Sequence, residues 1–109
     1  MIPAGSVCAL VGVVHLVLGV ASRTERLLRN YFAGIKTTRM LQSDDAWRVG
    51  HRAAAPLFLA IGGIGIVFSV VIAVLSGSDD AATTYLLSYM ALVVVGLAAA
   101  TWLAHRAVR

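Results

Sequence analysis

"AAAPLFLAIGGIGIVFSVVIAVL", Ala53 to Leu75, runs for 23 residues without an Asp, Glu, Lys or Arg. A helix needs about 20 apolar residues to cross the hydrocarbon core of a bilayer, so this stretch predicts a membrane span. Two more blocks of that kind lie on either side of it, from about Ile2 to Ala21 and from about Thr84 to Ala104, and neither contains a charged residue. In a chain of 109 residues, 60% hydrophobic and only 13% charged, these blocks take up nearly the whole length. The expectation is an all-α membrane protein, a single domain of three transmembrane helices over residues 1–109.

The connections carry the charge. All nine Lys and Arg residues lie between Arg23 and Arg52 or in the C-terminal tail, whereas the 76–84 connection has none and holds Asp79 and Asp80. Basic residues beside membrane helices are retained on the cytoplasmic side. This predicts a cell-membrane, multi-pass protein with the N-terminus outside and both the 22–52 loop and the C-terminus in the cytoplasm. A net charge of +4 placed next to spans serves topology and lipid headgroups, and nucleic acid is not an expected partner. The first block has no basic residue ahead of it, unlike a secretory signal, so it is expected to stay in the protein. Cys8 is the single cysteine and reads as a small apolar helix residue. Tyr85 and Tyr89 at the start of the third span and Trp102 near its end read as interfacial anchors.

Helices in lipid associate through close packing, so small residues should mark their contacts. Gly5, Gly12 and Gly19 form one stripe on the first span. Gly62, Gly63, Gly65 and Ser69 provide small positions on the second, and Gly96, Ala100 and Ala104 a row on the third. His15 falls between Gly12 and Gly19 and should therefore face protein. An ionisable residue at membrane depth is a functional candidate, with a proton relay or a ligand as its use. The plainer reading is a neutral imidazole bonded to a neighbouring helix at Ser69, Ser88 or a carbonyl. His15, His51 and His105 lack ligand spacing, and no metal or cofactor is expected.

The 22–52 loop contains "NYFAGIKTTRMLQSDDAWRVGHR", Asn30 to Arg52. Gly34 suggests a turn, with Tyr31 and Phe32 free to rest in the interface. Ser43 followed by Asp44 and Asp45 is a helix start: the hydroxyl accepts free amides and the carboxylates complement the helix dipole. A short interfacial helix from about residue 43 would carry Trp47 and His51 on one side, with Arg48 and Arg52 beside them, and run into the second span near Pro56, where a kink is expected.

Asn30, Gly34, Ile35, Lys36 and Thr37, followed by Ser43, Trp47, His51 and Arg52, resemble the signature of the SdpI family. In that pattern an Asn and a Gly-Ile-Arg-Thr turn precede a Ser-initiated helix with Trp, then His-Arg entering a span. The match covers the loop and the start of the second span. Lys36 stands where the family usually has Arg, and Thr38 where Pro is frequent. The extra N-terminal spans of the family's longer members are not expected here. The resemblance implies immunity to a secreted, membrane-active toxic peptide, and signalling that holds a cytoplasmic regulator at the membrane. The same loop also reads as an architectural brace. An alternative class is an accessory subunit of a larger membrane complex, and a homo-oligomer is also open. Neither an enzyme nor a proton-coupled transporter is expected. The spans hold no carboxylate, and the chain has no paired nucleophile and base and no phosphate loop.

Overall fold

The computed structural model describes residues 3–27, 34–75 and 77–108, and every regular element in it is helical. In chain order these are α1 (Ala4–Arg23), α2 (Thr38–Leu41), α3 (Asp44–Leu75) and α4 (Asp79–Ala107). Three of them, α1, α3 and α4, are long and apolar enough to cross a membrane. Their outward faces expose large aliphatic side chains, among them Leu10, Val17, Val74, Val94 and Val95. Such surfaces are stable only against lipid or another apolar partner. The molecule is an all-helical, multi-pass membrane protein.

The central helix is α3, with α1 and α4 packed along it and touching each other far less. Glycine sets how closely α1 approaches. A methyl group on Gly12 would lie 2.8 Å from the Gly62 carbonyl oxygen, and one on Gly62 would lie 2.7 Å from the Gly12 oxygen. Gly19 meets Leu59 in the same way, and Gly5 faces Ser69 and Ile72. The heptad stripe of α1 is thus the seam with α3, where bare backbones give dispersion contacts that side chains would block. Of the three glycines in the apolar block of α3, Gly62 and Gly65 lie in protein contacts, whereas Gly63 faces open space. On α4, Gly96 accepts Ile61, and Ala100 and Ala104 are fully buried.

Tyr89 departs from the expected anchor role. Its ring is buried, packs near Phe68 and over Gly65, and its hydroxyl donates to the Ile61 carbonyl at 2.9 Å. The missing side chain at Gly65 makes the hole that the phenol fills, so an interfacial-looking tyrosine became a core residue. Tyr85 is half-buried against Phe68, while Trp102 is exposed beneath the Arg106 guanidinium.

Two helix boundaries differ from the expected ones. The third apolar helix begins at Asp79, five residues before Thr84, because Ser78 accepts the Ala81 amide and two aspartates occupy the first turn. At the other end of the bundle, the helix that starts at Ser43 is not a separate element. It forms the first turns of α3, which continues unbroken for 32 residues through Pro56. At 1.5 Å per residue that is about 48 Å, well beyond the roughly 30 Å of hydrocarbon, so the Asp44–Arg52 turns rise past the apolar span.

Candidate functional site

The elevated turns of α3 form the wall on which the loop docks. Ser43 caps them, its hydroxyl accepting from the Ala46 amide at 3.0 Å. Four residues separate Trp47 from His51, so their rings stack on one face, with centroids 4.0 Å apart. Both side chains are buried, each with 1% of its surface exposed. The chain returns across this stack at Gly34, whose φ of +107° places it in the region that glycine alone adopts readily. A methyl group there would lie 2.6 Å from His51 Nε2 and 2.9 Å from Trp47 Cη2. Gly34 therefore meets two requirements: the turn needs its φ, and the ring stack needs its missing side chain.

Hydrogen bonds fix the contact. The Ile35 amide donates to His51 Nε2 at 2.8 Å, so that nitrogen carries the lone pair. His51 Nδ1 lies 2.8 Å from the Trp47 carbonyl, which only accepts, so the proton sits on Nδ1. Both partners thus specify one neutral tautomer. His51 precedes the apolar block that starts at Ala53, and burial pushes its pKa below the ordinary histidine value against the opposing pull of the Trp47 carbonyl. The indole Nε1 of Trp47 donates to the Leu27 carbonyl at 2.9 Å, tying the chain just after α1 to the same stack.

Thr37 links the turn to the far helix. Its hydroxyl caps α2 by accepting from the Met40 amide at 3.4 Å and shares a 2.7 Å hydrogen bond with His105 Nε2 on α4. The adjacent Arg39 donates to the His105 carbonyl at 3.2 Å, satisfying a last-turn acceptor. Met40 is fully buried and seats against Gly50, next to Val108. The short α2, absent from the sequence expectation, is thus a peg between α3 and the end of α4. The Ser/Thr-cap signal at Thr37 could have pointed to it.

The remaining signature positions lie outside this buried contact. Lys36 and Arg52 are exposed, and Arg52 pairs with Glu25 at 3.0 Å. Asn30, with Tyr31 and Phe32, lies outside the described residues. Among the described residues His15 makes no hydrogen bond to the loop. Its Nδ1 bonds the Val11 carbonyl on its own helix at 2.8 Å, not Ser69, Ser88 or any group on a neighbouring helix. The return to i−4 keeps this nitrogen within its own helix. His15 borders a cavity of about 720 Å³ between α1 and α4, with Phe58 of α3 also in its lining and the Gly34–Thr37 turn at one end. Among the described residues no group of three His, Cys, Asp or Glu side chains could hold a metal ion.

These features define a class: a three-span membrane protein whose long connection is folded back and latched onto the raised end of its central helix. Residues 26–104 match the SdpI/YfhL protein family, and the chain belongs to that family. No curated protein and no solved structure matches it.

Proposed function

We propose that this chain is an SdpI-like immunity protein, protecting the cell that makes it against a membrane-active toxic peptide and signalling through its basic loop. The observation that carries this reading is the family match, which spans the loop and the two following helices as one unit. The geometry adds a division of labour within the loop. Trp47, His51, Gly34 and Ile35 hold it in shape, so a peptide or a cytoplasmic regulator would meet the cations around that frame, Lys36, Arg39 and Arg48, which are exposed. Lys36 occupies a turn that both neighbours pin down, Ile35 to His51 and Thr37 to His105.

The proposed orientation places this end in the cytoplasm. Arg23, Lys36, Arg39, Arg48, Arg52 and Arg106 gather where α1 ends, α3 begins and α4 ends, while Asp79 and Asp80 start α4 at the opposite end. That asymmetry follows the positive-inside rule. A cysteine at Ser78, in a Cys8→Ser background, should react with an impermeant maleimide on intact cells.

Resistance of cells to the toxic peptide, with and without expression of the protein, tests the function. Lys36→Ala should abolish protection while leaving the protein in the membrane, and Trp47→Ala should do so by releasing the loop. Full protection by both variants would rule out the loop as the working part. Recovery of stoichiometric membrane subunits after purification in mild detergent would instead favour an accessory role.

A further inference from the structure

The cavity between α1 and α4 has chemistry that the loop's role does not use. At about 720 Å³ it falls within the common range of small-ligand sites, roughly 300–1,000 Å³. Val13, Val17 and Leu18 of α1, Leu97 of α4 and Phe58 of α3 give it an aliphatic and aromatic lining. The outward members of that lining, Val14 and Val17, are 53% and 64% exposed, so the cavity opens sideways on the apolar outer face of α1. The basic end of the cavity is bounded by the Gly34–Thr37 turn with Lys36 in its lining, and there is no carboxylate among the described residues that line it. An occupant must therefore be apolar along its length and anionic at one end, and must arrive through the membrane.

We propose that this cavity binds one acyl chain of an anionic phospholipid, which enters laterally between α1 and α4 and sets its phosphate against Lys36. From Ala21 to Val13 the wall of α1 rises eight residues, about 12 Å, enough to sheathe the upper half of a chain. The His51 latch then acquires a second consequence. By fixing Ile35 it holds Lys36 at headgroup level over the cavity mouth. The proposal shares Lys36 with the immunity reading but is read out by lipid retention and not by resistance, so either can fail without the other.

The full chain is reconstituted in nanodiscs of dioleoyl phosphatidylglycerol and dioleoyl phosphatidylcholine in equal parts, transferred to mild detergent and examined by native mass spectrometry. The expected result is one retained phosphatidylglycerol per chain, enriched over phosphatidylcholine. Lys36→Gln should reduce that preference about fivefold, the weight of one lysine near an anionic headgroup. Leu18→Trp, which fills the cavity, should abolish retention, whereas Val94→Trp on the outward face of α4 should leave it intact. Circular dichroism melting verifies folding, and Lys36→Gln keeps the test open if Leu18→Trp does not fold. His15→Leu should retain the lipid at least as well as the parent. Equal retention of both lipids, or equal loss in Val94→Trp, would mean ordinary boundary lipid and overturn the proposal. Loss in His15→Leu alone would also overturn it, pointing to a ligand that donates a hydrogen bond to the imidazole, such as a peptide.

Discussion

Gly34→Ala isolates the latch. The native φ of +107° is strained for any residue with a side chain, at a cost of order 1–3 kcal/mol. The added methyl would also stand 2.6 Å from His51 Nε2 and 2.9 Å from Trp47 Cη2. Neither ring can retreat, because they stack on each other and are buried on α3. The turn must lift instead, which breaks the bond from the Ile35 amide and leaves the imidazole nitrogen without its donor, about 1–3 kcal/mol more. The sum, about 2–6 kcal/mol, should raise the population of the undocked loop by at least ~30-fold, since 1.4 kcal/mol is a factor of ten. The three spans make their seams elsewhere and should persist. Hydrogen exchange at the Ile35 amide in nanodiscs measures the opening directly, and in a Trp102→Phe background the emission of Trp47 should shift to the red as the indole is uncovered. The control is Gly77→Ala, a glycine with open space around it at the far end of the bundle. Protection of Ile35 unchanged by Gly34→Ala would refute both the steric argument and the identification of His51 as its acceptor.

Three other perturbations test separate parts of the structure. Gly12→Ala pushes a methyl onto the Gly62 carbonyl and should cost about 1–3 kcal/mol of stability in detergent, while Gly63→Ala, facing open space, should be neutral or stabilise by up to about 1 kcal/mol. Thermal unfolding of the two variants side by side gives the comparison. Glu25 has a φ of +59° in a Schellman turn, where the Arg26 amide bonds the Ala21 carbonyl at 2.8 Å. Glu25→Val should therefore destabilise by about 1–3 kcal/mol, whereas Glu25→Gly, which relieves the strain and loses only an exposed ion pair, should fall within about 1 kcal/mol of the parent. For pH, the docked His51 is neutral with a depressed pKa, so docking is at full strength above the ordinary histidine value near 6.5 and weakens as pH falls below it. Trp47 emission in the Trp102→Phe background should move to the red on acidification and stay fixed when His51 is Gln. Loosening on raising the pH would contradict the tautomer assigned here.

The spans and their seams were legible because membrane helices follow composition closely: apolar length defines each helix and small residues define its contacts. The heptad of Gly5, Gly12 and Gly19 led directly to the α1–α3 interface. The start of α4 was legible too but went unread. Ser78, Asp79 and Asp80 repeat the Ser-Asp-Asp pattern that correctly placed the start of α3 at Ser43, yet hydropathy alone put the boundary at Thr84. Other features depend on partners that no local pattern announces. Tyr89 is buried because Gly65 on another helix leaves room for it, and Thr37 meets His105 across 68 positions of sequence. His15 turned to its own helix because the Val11 carbonyl is always within reach, whereas a partner across the bundle needs a particular packing.

The loop signature is the case where reading and geometry meet most usefully. As a string it names residue types that are often sought in binding sites: tryptophan, histidine, lysine and a glycine turn. In space they divide by burial. The Trp47 indole donates to the Leu27 carbonyl, and the His51 ring is held between the Ile35 amide and the Trp47 carbonyl, leaving neither side chain a polar group to offer a partner. In this chain those residues shape the loop against the raised end of α3. What the shape presents is Lys36, among the described signature residues the one that is both exposed and flanked on each side by pinned neighbours. Its backbone is held beside the α1–α4 cavity, so replacing its charge by Lys36→Gln should change what the protein recognises and leave Ile35 exchange unchanged. Replacing Trp47 should change both.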